Sequence, residues 1–322
     1  MKIGFILYYY WCYQILAVEY ASGKSETKFQ KRLPDAIIIG VKKAGTRALL
    51  EYLRLHPLVK GTGPEIHFFD KKFHLGLEWY KSQMPETMED QITIEKTPSY
   101  FVRAEVPGRI YNMSRDTKLL VVVRDPVQRA VSDFTQSTSK RFSGRTFEQT
   151  VFTDQKFETV DLSRSLIRIG LYSKHIKNWL KFFPPNQILF VSGENLVKKP
   201  YDEIRLVEKF LNLPKFIKKS FFRYNATKKF PCLMKKKRHL STVDNRREKT
   251  DNNTKQPLTA TVISYHCLGK TKGRPHVKVQ QKALCRLKKF YQSFNDHFFD
   301  IVGRNFGWNN DSVVNYCMKN KL

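Results

Sequence analysis

Metal-ligand patterns are the first thing this sequence lacks. Its 322 residues hold five cysteines, with no C-x-x-C pair and no Cys/His cluster at zinc spacing, so no metal site is expected. No G-x-x-x-x-G-K-[ST] loop occurs, which removes the usual Mg²⁺–nucleotide cradle. No internal repeat appears, which argues against solenoids and propellers. The apolar run at residues 3–18 is about 16 residues long, short for a full membrane span. Acidic residues are scarce: 29 Asp and Glu stand against 58 Lys and Arg, a net charge of +29. Such a field gathers polyanions. Nucleic acid, an acidic membrane surface and a sulfated polysaccharide all satisfy it, and composition does not choose.

What is present narrows the choice. Apolar and aromatic content is ordinary for a globular chain, so disorder is not the default. The run at 3–18 carries no charge and follows Lys2. It fits a signal peptide or an uncleaved type II anchor, and both stand open, with a slight lean to the anchor. Either places the rest of the chain in a lumen. Four N-x-S/T sequons, at Asn112, Asn225, Asn252 and Asn310, agree weakly with that. Cys12 lies in the apolar run. Cys232, Cys267, Cys285 and Cys317 remain for pairing in an oxidising compartment.

The expected organisation is a stem at 19–32, one folded domain at 33–310 and a C-terminal tail at 311–322. Ala36–Gly40, residues 92–94, Lys118–Val123 and residues 187–191 are short apolar runs of the buried-strand kind. Helical patterns at 46–55, 78–84, 127–137, 163–183 and 201–211 alternate with them. That alternation predicts an α/β fold, a central parallel sheet flanked by helices. Residues 221–230 read as strand-like. Residues 235–261 read as a basic, solvated insertion, and the chain re-forms at 263–267. A long amphipathic helix is expected over 277–302.

Two segments carry phosphate chemistry. Residues 39–47 (IGVKKAGTR) link a buried strand to a helix, where unpaired N–H groups and the helix dipole favour an anion. Gly45 lets the backbone approach closely, Lys43 can reach a terminal oxygen and Thr46 can donate its hydroxyl. The second segment, KLLVVVRDPVQRAVS at 118–132, ends a strand in Arg124. Ser132 follows eight residues on, about two helical turns later. An Arg and a Ser so placed can grip one phosphate across strand end and helix.

These loops, with EIHFFD at 65–70, IEKTPSYF at 94–101 and CLGKTKGRPH at 267–276, resemble the heparan sulfate glucosamine 3-O-sulfotransferase family. The resemblance implies a P-loop-like sulfotransferase fold in the Golgi lumen. It implies sulfonate transfer from PAPS (3′-phosphoadenosine 5′-phosphosulfate) to heparan sulfate by a metal-free monomer, with no nucleic-acid partner. Residue by residue, it implies Glu65 as catalytic base, with His67 and Asp70 beside the acceptor. It puts Lys43 on the transferred sulfonate and Lys43, Ala44, Gly45, Thr46 and Arg47 in the phosphosulfate loop. Arg47 and Lys96 become cationic contacts in the cleft, and Arg124 and Ser132 ligands of the 3′-phosphate. Lys272, Gly273 and Arg274 form a closing loop, with Arg274 also on the acceptor, and a Cys232–Cys267 disulfide holds that loop. Ala44 departs from the glycine often found there, Pro64 stiffens the approach to Glu65, and the Cys232–Cys267 interval is longer than the family's.

Overall fold

The computed structural model describes residues 29–140, 144–238, 261–269, 275–308 and 312–319. Five strands form one sheet: β1 (Ala36–Gly40), β2 (Val59–Gly61), β3 (Ile92–Lys96), β4 (Lys118–Val123) and β5 (Ile188–Ser192). Its order is β2-β3-β1-β4-β5 and every pairing is parallel. A parallel sheet is covered by helices on both faces, so its central strands β1 and β4 are near-continuous apolar runs. Ile37 to Ile39 and Leu119 to Val123 are accordingly fully buried.

The chain enters the sheet at its centre, runs out to the β2 edge, returns through β3 and then crosses to β4 and β5. The order therefore reverses at β1. At such a reversal the connections leave the carboxyl ends of neighbouring strands in opposite directions and open a crevice. The helix α1 (Thr46–Leu53) leaves β1, and α2 (Pro126–Thr138) leaves β4. The R-D-P sequence makes the second exit. Asp125 caps α2 by accepting from the Val127 N–H at 2.9 Å, and Pro126 takes the first helical position, where no N–H is needed.

Three helical expectations need correction. The single helix over 163–183 is two, Ser165–Arg168 and Tyr172–Trp179. The Ile167 carbonyl accepts from the Tyr291 hydroxyl at 2.8 Å, and the Leu166 carbonyl accepts from Arg129. A Cβ on Gly170 would press on Pro126 and Tyr291, so the chain turns there on a residue with no side chain. The long C-terminal helix, α3 (Gln281–Val302), starts four residues later than expected. Side chains claim the preceding amides: Val277 N–H donates to Thr135 at 3.3 Å and Gln280 N–H to Glu148 at 2.8 Å. Finally, residues 311–322 are not simply a tail. They contain the helix α4 (Ser312–Lys319), tied to α3 by the disulfide Cys285–Cys317.

Beyond the sheet, Phe222–Asn225, Phe230–Arg238 and Thr261–Cys267 form an antiparallel three-stranded sheet. The basic KKKR run thus continues a strand through Arg238 instead of opening a solvated loop. The rest of the expected insertion, 239–260, and the apolar run at 3–18 lie outside the described residues. Cys232 faces Cys267 in register and the two are bonded. The Cys285–Cys317 crosslink spans 32 residues. Replacing both cysteines by Ser is expected to cost about 2–4 kcal/mol, read as a lower midpoint in denaturant unfolding with catalytic parameters retained.

Candidate active site

The phosphate loop is built by close approach. Gly45 sits at φ 122°, a conformation that glycine adopts without strain, and caps α1 with no side chain. No side chain caps the first-turn amides of α1. Val41 N–H donates to the Val122 carbonyl at 2.8 Å, pinning the loop to β4. Ala44 is buried, and a Cβ on Gly193 would overlap its carbonyl oxygen, so the turn after β5 must be glycine for the loop to lie there.

Lys42 and Lys43 point to different partners. Lys42 pairs with Asp133 at 2.9 Å, and the fully buried Arg129 holds the same Asp133 at 3.0 Å. Burial acts to raise the Asp133 carboxyl, but Arg129 and Lys42 outweigh it and hold it below the usual range. Lys43, at φ 72°, donates to the Gln136 side-chain oxygen of α2 at 2.7 Å. Thr46 is buried at the head of α1.

Arg124 directly follows β4 and is half-buried, its carbonyl fixed by the Tyr172 hydroxyl at 2.7 Å. Ser132 is half-buried on α2. His276 joins this group: loss of solvent, then the charges of Arg124 and Lys43, push its imidazole below the ordinary histidine range. These cations with the uncapped helix are a donor set that suits a phosphorylated, sulfated nucleotide.

The second half of the site lies across β1, where β2 and β3 end. Lys96 closes β3 and is 3% exposed, and its ammonium donates to Glu65 at 2.6 Å. The Glu65 side chain itself keeps 39% of its surface, open to an incoming molecule. His67 Nε2 lies 3.5 Å from the other Glu65 oxygen. Its Nδ1 lies 3.1 Å from Asp70, whose side chain is fully buried and accepts from the Ser99 hydroxyl at 2.7 Å. A carboxylate only accepts, so Nδ1 donates to Asp70, and Nε2 faces Glu65. His67 stands at φ 56°, a left-handed conformation costly for a residue with a Cβ.

Beneath this turn Glu95 is fully buried. Burial pushes its carboxyl up to about 7, against the pull of Thr97, Lys96, Tyr80 and the Ile66 N–H.

The structure therefore brings Glu65, His67, Asp70 and Lys96 into one cluster, and sets Lys43, Ala44, Gly45 and Thr46 at the neighbouring strand end with Arg124. Arg47 follows Thr46 in the first turn of α1. Its guanidinium lies on the exposed face of α1, paired with Glu51 at 2.7 Å. Lys272, Gly273 and Arg274 lie outside the described residues, as do the sequons at Asn252 and Asn310. Asn112 is exposed, and Asn225 turns its amide nitrogen to the Cys267 sulfur at 3.8 Å. Sequence reasoning missed Gln136, Ser99, Glu95, Arg129 and Gly193.

The sulfotransferase domain family matches residues 33–265. The chain is 51% identical over 278 residues to the mouse heparan sulfate glucosamine 3-O-sulfotransferase 3A1, across 86% of this chain and 65% of that protein. It is 47% identical over 279 residues to the human heparan sulfate glucosamine 3-O-sulfotransferase 6, across 87% of this chain and 75% of that protein. The chain thus spans less than two thirds of the length of the first relative and three quarters of the second. A solved sulfotransferase from Alicyclobacillus acidocaldarius shares the fold with a TM-score of 0.58 at 18% identity, covering 87% of this chain and all of that one. By the domain match and by these identities, the chain belongs to the heparan sulfate glucosamine 3-O-sulfotransferase family.

Proposed function

We propose that the chain transfers a sulfonate from PAPS to the 3-hydroxyl of a glucosamine residue in heparan sulfate, in the Golgi lumen. One observation carries the reading: an accessible carboxylate, Glu65, stands across a single strand from a cationic loop that ends in an uncapped helix. Binding alone needs the cations but not the carboxylate.

PAPS supplies an activated sulfonate. Lys43, the amides at the head of α1 and Thr46 hold its 5′ side, and Arg124 with Ser132 holds its 3′-phosphate. Glu65 accepts the proton of the sugar hydroxyl as the new S–O bond forms and the old one breaks. Lys43 offsets the charge that grows on the departing phosphate oxygen. Lys96 fixes the Glu65 carboxylate, and His67, oriented by Asp70, limits its second oxygen. The net charge of +29 draws a polyanionic sugar chain to the crevice. Two disulfides support an oxidising compartment.

The reading is tested by incubating the full chain with ³⁵S-labelled PAPS and either heparan sulfate or chondroitin sulfate. Label in heparan sulfate alone is expected; equal labelling of both, or of neither, contradicts the proposed acceptor. The 3′-phosphate assignment has its own test. Arg124→Ala is expected to weaken binding of 3′-phosphoadenosine 5′-phosphate about 100-fold, or about 2.7 kcal/mol, by titration calorimetry. Its affinity for adenosine 5′-phosphosulfate, which lacks that phosphate, is expected to stay unchanged.

A further inference from the structure

The turn that carries Glu65 and His67 is tied down from below, amide by amide. The Ile66 N–H, between the two, donates to the buried Glu95 carboxylate. The His67 N–H donates to the Thr97 hydroxyl at 3.3 Å, and the Thr97 hydroxyl donates in turn to Glu95 at 2.5 Å. The Phe68 and Phe69 N–H groups both donate to the Tyr100 hydroxyl, at 2.9 and 3.3 Å. Four successive amides, 66 to 69, thus end on three side chains from residues 95–100. Tyr80, from the helix Gly76–Ser82, donates to the second Glu95 oxygen at 3.4 Å.

This arrangement is costly. Glu95 is fully enclosed, and a buried carboxylate is retained only where hydrogen bonds compensate it. Nothing in the proposed chemistry reaches it. What it does touch is the backbone at the bend, next to a His67 held in a left-handed conformation. Without an acceptor beneath it, the Ile66 amide would have no reason to face inward, and the bend that aims Glu65 at the crevice would lose its anchor.

We infer that Glu95 is a positioning residue for the candidate base: its carboxylate holds the Ile66 amide and, through Thr97, the His67 amide, and so fixes where Glu65 points. The inference rests on the proposed function for its kinetic consequence only. The groups that face Glu95 are Lys96 and Thr97 from its own strand segment, the Ile66 amide from the turn, Tyr80 from the adjacent helix and Tyr100 from the following turn, with Asp70 acting on Tyr100. All three groups that hydrogen-bond to it donate to the charged form. A proton on Glu95 removes that charge and weakens its hold on the turn. Because burial raises this carboxyl to about 7, the ionised, turn-holding form prevails above that pH and is lost as the pH falls through it.

Glu95→Gln in the full chain tests this, with Glu95→Asp beside it. Misplacing a reacting group by about 1 Å costs on the order of 100-fold. The expected result is a kcat for sulfonate transfer lowered by about that factor, with the KM for heparan sulfate and the binding of 3′-phosphoadenosine 5′-phosphate unchanged. The wild-type loss of kcat below neutral pH is expected to vanish in Glu95→Gln and to persist in Glu95→Asp, which keeps the charge and part of the rate. Amide hydrogen exchange over residues 64–70 is expected to quicken in Glu95→Gln while the central strands stay protected. Unchanged exchange in that segment overturns the inference, as does a wild-type kcat or an unmoved acid limb. If the wild-type chain transfers no sulfonate to heparan sulfate, the proposed function fails and the exchange measurement still decides the role of Glu95.

Discussion

Glu65→Gln is expected to lower kcat for sulfonate transfer by about 10²- to 10⁴-fold, with binding of 3′-phosphoadenosine 5′-phosphate unchanged. A sugar hydroxyl holds its proton far above neutral pH, so it attacks only as that proton leaves. The Gln side chain has the shape of Glu and still accepts from Lys96, but it cannot take a proton. The substitution therefore removes the chemistry and keeps the contact at 2.6 Å. The nucleotide should not feel the change, because Glu65 follows β2 while the phosphate loop follows β1. Single-turnover kinetics reads the loss, and a thermal melt confirms that the variant is folded. A variant that keeps the wild-type rate would transfer the base role elsewhere, and His67, 3.5 Å away, would be the next side chain to replace.

Lys43→Ala carries the second large effect, a fall in kcat of about 10²- to 10³-fold. Lys43 is held above the head of α1 in a left-handed turn, and Gln136 fixes its ammonium at 2.7 Å. A cation held in place before the reaction costs no reorganisation when charge develops on the leaving group. Lys43→Arg is expected to recover little, since a planar guanidinium presents its donors differently from a compact ammonium. The measured pair is kcat and the affinity for the bisphosphate product. A loss confined to affinity would make Lys43 a binding residue and leave the leaving group without a counter-charge.

The fold was legible where buried strands announce themselves. Lys118–Val123 is apolar from Leu119 onward, and its bounds match the expectation residue for residue. The helix after it was legible too, expected over 127–137 and found over Pro126–Thr138. What escaped was decided by distant partners. Nothing near Gly170 in sequence says that Tyr291 and Arg129 will take the carbonyls of a helix and stop it. Likewise the C-terminal helix α4 owes its place to a cysteine 32 residues earlier.

The candidate site divides the same way. The phosphate loop could be read locally, since glycine, lysine and helix start lie within one turn of each other. The cluster of Glu65, His67, Asp70 and Lys96 came from resemblance, because residues from two strand ends meet there. Arg47, half-exposed and paired with Glu51, had no partner that its motif position could name. Glu95 escaped for a different reason. A charged residue beside a charged residue in a strand reads as polar surface, but alternation sends one into the cleft and the other into the core.

The central claim is the position of the new sulfate. The most direct measurement is disaccharide mapping of heparan sulfate labelled by the full chain with ³⁵S-PAPS. The account predicts label on the 3-oxygen of glucosamine, absent from the product of Glu65→Gln. Label on the glucosamine nitrogen, on its 6-oxygen or on the uronic acid would contradict it.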